Sequence, residues 1–293
     1  MDAVLTAEAR TDLRALLRHW LAAISGKLLA HEFALFRLDR QPLEARIGLM
    51  SGEGEDDGLY RAFVGHLRGG DWSAVAAAYP EWDRLRSVVV TRWRERSWEL
   101  LSRLRGDGDA IRERLLGGRD PGRVARILPL SDDRHDGGGT VLELRFEDGE
   151  RLVYKPRTVG LERWFGVLLA RLEDPARGLS GLGVPQILDH GAYGWVEYVD
   201  HEPCRTVDGV ERFFVRAGAL LAVFHGLGSI DCHLENLIAH GDRPVLVDAE
   251  TVLQPGDELY AFVAFDNEQN NYYVAMKFDR KGAVLFEKLT RDN

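Results

Sequence analysis

Three polar residues in the C-terminal half of the chain have the types and spacing of a phosphoryl-transfer site. Asp231 and Asn236 are separated by the interval D-x-x-x-x-N, and the apolar run RPVLVDAE that follows carries Asp248. Phosphoryl transfer needs a carboxylate beside the attacking hydroxyl, together with carboxylate and amide oxygens that hold Mg²⁺ against the phosphates. The spacing therefore predicts Asp231 as a catalytic carboxylate, and Asn236 and Asp248 as magnesium ligands.

Two neighbours of these residues are further candidates. Glu250 shares a strand face with Asp248 if the extended chain continues, so it is a candidate metal ligand or a support for one. His233 would donate a hydrogen bond or share the role of base near a carboxylate and a phosphate. The alternatives are a structural histidine, and a helix cap or Asx-turn for the D-x-x-x-x-N interval itself.

Upstream, a lysine and a glycine run complete the candidate nucleotide site. Lys155 ends the apolar run LVYKPR, where an ammonium group facing a cleft would meet phosphates; the alternative is an edge-strand lysine next to Pro156. Gly137, Gly138 and Gly139 would let backbone N–H groups approach phosphate oxygens, or form only a flexible turn. Asp133 precedes them and is also a typical turn former.

The elements that position these residues follow from the periodicity of apolar side chains. Residues 1–120 predict a helical region, with an apolar stripe through Leu13, Leu16 and Trp20. From residue 121 the chain alternates in ARILPLS, TVLELRFE and ERLVYKP, which predicts three antiparallel strands. A helix over 161–174 and two further strands in GVPQILDHGAYGWVEYVD follow. We therefore expect an α+β fold in which 121–255 form a kinase-like core that is followed by a tail over 256–293.

Composition narrows the class of protein. The chain has 293 residues, of which 45% are hydrophobic, so it is long enough to bury a core. Its formal net charge of −9 argues against a nucleic-acid surface, which needs a concentrated basic face. No apolar run approaches the roughly 20 residues that a membrane span requires. The two cysteines, Cys204 and Cys232, predict neither a disulfide framework nor a zinc site, and favour a reducing cytoplasm.

Several linked segments resemble a known family. SDDRHDGG, LVYKPRTV, HGAYGWVEYVDHEPC and RAGALLAVFHGLGSIDCHLENLIAHGDRPVLVDAETVLQP are similar to the dehydratase domain of class II lanthipeptide synthetases, a domain that resembles lipid kinases in fold. The resemblance covers roughly residues 60–255 of the chain. It implies a kinase-like, lipid-kinase-like small lobe followed by a large lobe.

The resemblance also implies an activity and a set of roles. Such domains use ATP and Mg²⁺ to phosphorylate serine and threonine hydroxyls of a ribosomally made precursor peptide, and then eliminate phosphate. The implied roles are phosphate binding by Lys155; action at the transferred phosphoryl group by Asp231 and His233; metal binding by Asn236, Asp248 and Glu250; and cofactor binding by Asp133 and Gly137, Gly138 and Gly139.

The segment after the VDAET run departs from the family pattern. Family members continue through a large helical lobe that carries the elimination residues, and usually into a zinc-dependent cyclase, whereas residues 256–293 predict one or two hairpins with turns at DNEQNN and DRKG. We therefore expect an incomplete large lobe and phosphorylation without elimination, with a separate cyclase as a candidate partner. The alternatives are a kinase acting on a small molecule or lipid, and a non-catalytic peptide-binding remnant.

Overall fold

The computed structural model describes residues 4–40, 57–70, 72–130, 139–174, 180–229 and 236–249, and the backbone of 261–266 and 271–276. The chain divides into two compact units, residues 1–105 and 106–293. We describe each unit by itself. Within the described residues, no helix is both long enough and apolar enough to cross a membrane.

The first unit is helical, as the apolar stripe predicted. Its helices are α1 (Ala7–Arg40), α2 (Asp57–Gly69), α3 (Trp72–Ala78) and α4 (Pro80–Gly106), the last ending at the boundary between the units. Helix α1 begins after Thr6, whose Oγ1 accepts a hydrogen bond from the backbone N–H of Ala9 (3.2 Å) and so caps the first turn.

Aromatic side chains join the helices of this unit. Phe36 of α1 contacts Phe63 of α2 with ring centroids 5.3 Å apart, and both side chains are buried. Trp82 Nε1 of α4 donates to Ser25 Oγ (3.0 Å), and Trp93 Nε1 donates to the carbonyl of Leu13 (2.8 Å). These indoles pack their rings between helices while their N–H groups find partners.

The second unit is built on a five-stranded antiparallel sheet. Helix α5 (Gly108–Leu115) precedes β1 (Val124–Pro129), β2 (Leu142–Phe146), β3 (Arg151–Lys155), β4 (Ile187–Asp189) and β5 (Gly194–Glu197), and the strands lie in the order β1-β2-β3-β5-β4. The three strands predicted from alternation, and the two that follow them, are confirmed. Strand β3 is interior, because Tyr154 pairs with Leu142 of β2 and Lys155 pairs with Gly194 of β5.

Two helices pack together in this unit. Helix α6 (Gly160–Leu172), predicted over 161–174, follows β3, and α7 (Val207–Leu227) follows β5. Thr206 caps α7 through a hydrogen bond from the backbone of Gly209. Phe165 of α6 and Phe224 of α7 stack with ring centroids 5.7 Å apart in the centre of a buried apolar cluster that includes Leu246.

Two hairpins follow α7. Strands β6 (Leu237–His240) and β7 (Arg243–Leu246) pair with Leu237 opposite Leu246. Strands β8 (Ala261–Asp266) and β9 (Asn271–Met276) pair with Asp266 opposite Asn271, which confirms the hairpin predicted at DNEQNN. The turn predicted at DRKG lies outside the described residues. The mixture of helices and antiparallel sheets, with a helical N-terminal region, confirms the α+β class.

Candidate functional site

The last residue of β3 is a buried lysine. Lys155 is only 4% exposed, and its Nζ donates a hydrogen bond to the carbonyl oxygen of Val247 (2.9 Å). Nζ also lies 3.3 Å from Glu162 Oε1 and 3.6 Å from Asp248 Oδ2. The edge-strand alternative is wrong for this residue, because β3 has a hydrogen-bonded neighbour on each side. Two residues predicted to act together, Lys155 and Asp248, are in contact.

An arginine and a glutamate complete what we call the charge cluster: Lys155, Arg157, Glu162 and Asp248. Arg157 donates from one terminal nitrogen to Glu162 Oε1 (2.7 Å) and from the other to Asp248 Oδ1 (2.7 Å). Glu162 lies in the first turn of α6, where the helix dipole favours a carboxylate. The cluster therefore joins the end of β3, the start of α6 and the segment after β7.

The cluster balances two cationic and two anionic side chains. Burying a charge is costly unless a partner of opposite charge and hydrogen bonds compensate for lost hydration. The side chains of Lys155, Arg157 and Glu162 are at most 8% exposed, whereas that of Asp248 is 25% exposed. Asp248 is thus the member that a ligand from solvent reaches first.

Glu162 retains an unused acceptor. Its Oε2 is buried and has no hydrogen-bond partner among the residues that the structure describes, and the same holds for Thr140 Oγ1. Thr140 follows the glycine run and precedes β2. Leu142 is paired with Tyr154, so the antiparallel register brings this segment to the end of β3 that carries Lys155.

The other described metal candidate lies next to Asp248 along the β6–β7 hairpin. The backbone carbonyl of Asn236 accepts a hydrogen bond from Val247 N (2.9 Å), one residue before Asp248. The register therefore brings Asn236 and Asp248 to the same end of the hairpin. A carboxylate and an amide are oxygen donors of the kind that Mg²⁺ prefers, so this pair fits the ion. Within the described residues, no group of three or more His, Cys, Asp or Glu side chains is placed to hold a metal.

The remaining predicted residues lie mostly outside the described part of the chain. These are Asp133, Gly137, Gly138, Asp231, His233 and Glu250. Gly139 is described: it is buried and immediately precedes Thr140 at the entry to β2. Their predicted roles stay predictions.

A glycine opposite Lys155 lets the start of α6 approach the sheet. A Cβ placed on Gly194 would lie 2.3 Å from Val159 Cγ2, a distance at which two carbon atoms overlap. Val159 is fully buried and directly precedes α6, the helix that carries Glu162. Because Gly194 has no side chain, Val159 and the start of α6 pack closely against β5, and this packing places Glu162 beside Lys155.

Sequence reasoning missed Arg157 and Glu162. One signal was present for each: Arg157 stands two positions after Lys155, where an extended chain turns both side chains to one face, and Glu162 is an acid in the first turn of a predicted helix. Neither signal indicates the pairing, because it depends on how α6 and the β6–β7 hairpin pack against β3.

Comparisons with known proteins agree with the resemblance noted in the sequence. A family model described as a domain of unknown function, DUF4135, matches residues 79–280, and this domain is found in LanM-type lanthipeptide synthetases. The lacticin 481/lactococcin biosynthesis protein LcnDR2 of Lactococcus lactis subsp. lactis is 28% identical over 132 residues. That alignment covers 43% of this chain and 14% of LcnDR2, so the chain spans a small part of that relative. The predicted resemblance to lanthipeptide synthetases is confirmed.

Proposed function

The chain belongs to the DUF4135 family, and from this premise we propose that it is a lanthipeptide-synthetase-like enzyme that phosphorylates serine or threonine hydroxyls of a precursor peptide with ATP and Mg²⁺. The observation that carries the proposal is the buried lysine at the end of an interior strand, held between Glu162 and Asp248. A lysine paired with a helix glutamate beside a metal-binding aspartate is the arrangement that phosphoryl-transfer enzymes of the kinase type use.

In this proposal the architecture around the cluster is kinase-like. The sheet β1-β2-β3-β5-β4 with α6 would form a small lobe, and α7 with the β6–β7 hairpin would begin a large lobe. The cluster supports this assignment because it connects β3 and α6 to the segment after β7. A nucleoside triphosphate bound there would contact Lys155 through the α- and β-phosphates of the nucleotide.

Each candidate residue then has a task. Asp231 takes the proton of the peptide hydroxyl. The oxygen of that hydroxyl bonds to the γ-phosphorus, and the bond from this phosphorus to the bridging oxygen of ADP breaks. His233 assists at the transferred group. Mg²⁺, when bound, neutralises the charge on the β- and γ-phosphates. Its ligands would be Asn236, Asp248 and Glu250. Backbone N–H groups of Gly137, Gly138 and Gly139 would donate to phosphate oxygens, and Asp133 would take part in binding the cofactor.

A buried apolar cluster beside Lys155 supports a nucleotide as the ligand. Val153 stands two positions before Lys155 on β3 and therefore on the same face, and it packs with Val141, Val159 and Val196. Partly buried Tyr198 and Ile187 lie against this group. Branched aliphatic side chains next to a phosphate-binding cation suit the flat, apolar faces of a purine ring.

Intact-mass spectrometry tests the activity. The probe is a serine- and threonine-containing precursor peptide encoded next to this gene, incubated with the protein, ATP and Mg²⁺. We expect a gain of phosphate that is lost with Asp231→Ala. Loss of water instead would mean that elimination also takes place. An unchanged peptide, together with no ATP binding, would favour the non-catalytic peptide-binding alternative.

A further inference from the structure

We propose that Arg157 is a positioning residue that sets the separation of Glu162 and Asp248 and thereby holds Asp248 for the metal ion. This inference rests on the proposed function, since it assigns Asp248 to Mg²⁺. It concerns a residue that does not itself contact the reacting atoms.

The guanidinium of Arg157 spans two carboxylates. One terminal nitrogen donates to Glu162 Oε1 and the other to Asp248 Oδ1, each at 2.7 Å. The first of these nitrogens also donates to the carbonyl oxygen of Thr158 (3.0 Å), which fixes the plane of the group. Because a guanidinium is rigid and planar, these contacts fix the distance between the two acids.

The same contacts leave Lys155 in a defined place. Its Nζ lies 3.3 Å from the Glu162 oxygen that Arg157 also holds, and 3.6 Å from the second oxygen of Asp248. Arg157 therefore determines where both acids stand relative to the lysine. Asp248 Oδ2 faces the lysine, while Oδ1 accepts from the arginine.

Burial of Arg157 allows it to hold Asp248 in a fixed position. Its side chain is 8% exposed, compared with 25% for Asp248, so the contact to Asp248 is made from the interior side of the carboxylate. A lysine at the same position would keep the charge but offer a single flexible ammonium, which cannot hold two acids at a fixed separation. Charge and geometry are thus separable by substitution.

Arg157→Lys tests the proposal, with Arg163→Lys on α6 as the matched control because that side chain is 67% exposed. The first readout is Mn²⁺ binding in the presence of ATP, measured from the electron paramagnetic resonance signal of the free ion. Loss of a group that orients a metal ligand typically weakens metal binding about 10- to 100-fold. We expect a loss of this size for Arg157→Lys and wild-type affinity for Arg163→Lys. Circular dichroism measures whether both variants are folded.

A second variant keeps the test decisive if Arg157→Lys does not fold. Glu162→Gln preserves the volume and one acceptor oxygen but removes the charge that anchors Arg157, so we expect several-fold weaker Mn²⁺ binding. Wild-type Mn²⁺ affinity in a folded Arg157→Lys, or in Glu162→Gln when the first does not fold, overturns this inference alone. A wild-type protein that binds neither ATP nor Mn²⁺ with ATP overturns the proposed function and this inference with it.

Discussion

At the scale of single residues, the charge cluster explains why a lysine is tolerated in the interior of a sheet. Lys155 has three oxygen atoms around its ammonium group, from Val247, Glu162 and Asp248. Removing one member of such a group leaves a buried charge without compensation, which is costlier than never having buried it. The four side chains therefore depend on one another.

Lys155→Met makes this dependence measurable. The substitution keeps a long apolar stem but removes one of the two cations that the cluster sets against its two carboxylates, so we expect the free energy of unfolding to fall by about 3 to 5 kcal/mol. Urea denaturation measures it. Lys27→Met, at an exposed position of α1, is the control and should change the free energy by less than about 0.5 kcal/mol. Equal effects of the two substitutions would show that the cluster does not stabilise the fold.

The sequence predicted part of this site. The D-x-x-x-x-N interval and the apolar strand after it made Asp248 a candidate, and the position of Lys155 at the end of a strand made the lysine another. The structure brings the two side chains into contact, and their roles stay predictions. The role of Arg157 was not predictable from local pattern, because both of its acidic partners reach it only through tertiary packing. The spacing of residues in the sequence predicts which of them lie in the same helix or strand. It does not predict which helices and strands pack against one another.

At the scale of elements, an aspartate ties α7 to the β6–β7 hairpin. Asp242, in the hairpin turn, accepts from Arg212 Nε (2.6 Å) and pairs with Arg216 (2.7 Å), which stands one helical turn further along α7. The hydrogen bond from Arg212, with the nearby charge of Arg216, holds the pKa of Asp242 below its usual value. The ion pairs therefore support the hairpin that presents Asn236 and Asp248.

The lowered pKa predicts a pH dependence for Asp242→Asn. A carboxyl whose pKa is depressed in the folded state stabilises the protein above its unfolded pKa, about 3.9, and loses that contribution as the pH falls through the folded value. We expect Asp242→Asn to lower the thermal midpoint by a few degrees near pH 7, a difference that shrinks below about pH 4. Asp109→Asn, whose side chain is 92% exposed, is the control. A difference that does not change with pH would contradict the assignment.

Alternation of apolar residues was enough to predict the strands. It was not enough to predict the order of the strands in the sheet. TVLELRFE and ERLVYKP are joined by a tight turn in which Gly149 adopts a left-handed conformation (φ 93°), so β2 and β3 follow directly from the sequence. Strand β5 lies between β3 and β4, and its Gly194 closely approaches Val159. Such contacts leave no periodic signal.

At the scale of the whole molecule, the four members of the charge cluster all lie in the second unit. That unit begins at residue 106, whereas the family model matches residues 79–280 and so includes part of the helical first unit. The site assembled from β3, α6 and the β6–β7 hairpin lies well inside the matched range. A ligand-binding measurement on the 293-residue chain therefore tests the site together with all the residues that match the family model.

Calorimetric titration of the full chain with ATP and Mg²⁺ tests the central claim without requiring knowledge of the peptide. The account predicts saturable binding at one site in the wild-type protein. It predicts at least about tenfold weaker binding in Asp248→Ala, because Asp248 is a proposed metal ligand, and wild-type binding in Lys27→Met. Absence of ATP binding to the wild-type protein, or equal binding to the wild-type protein and Asp248→Ala, would contradict the account.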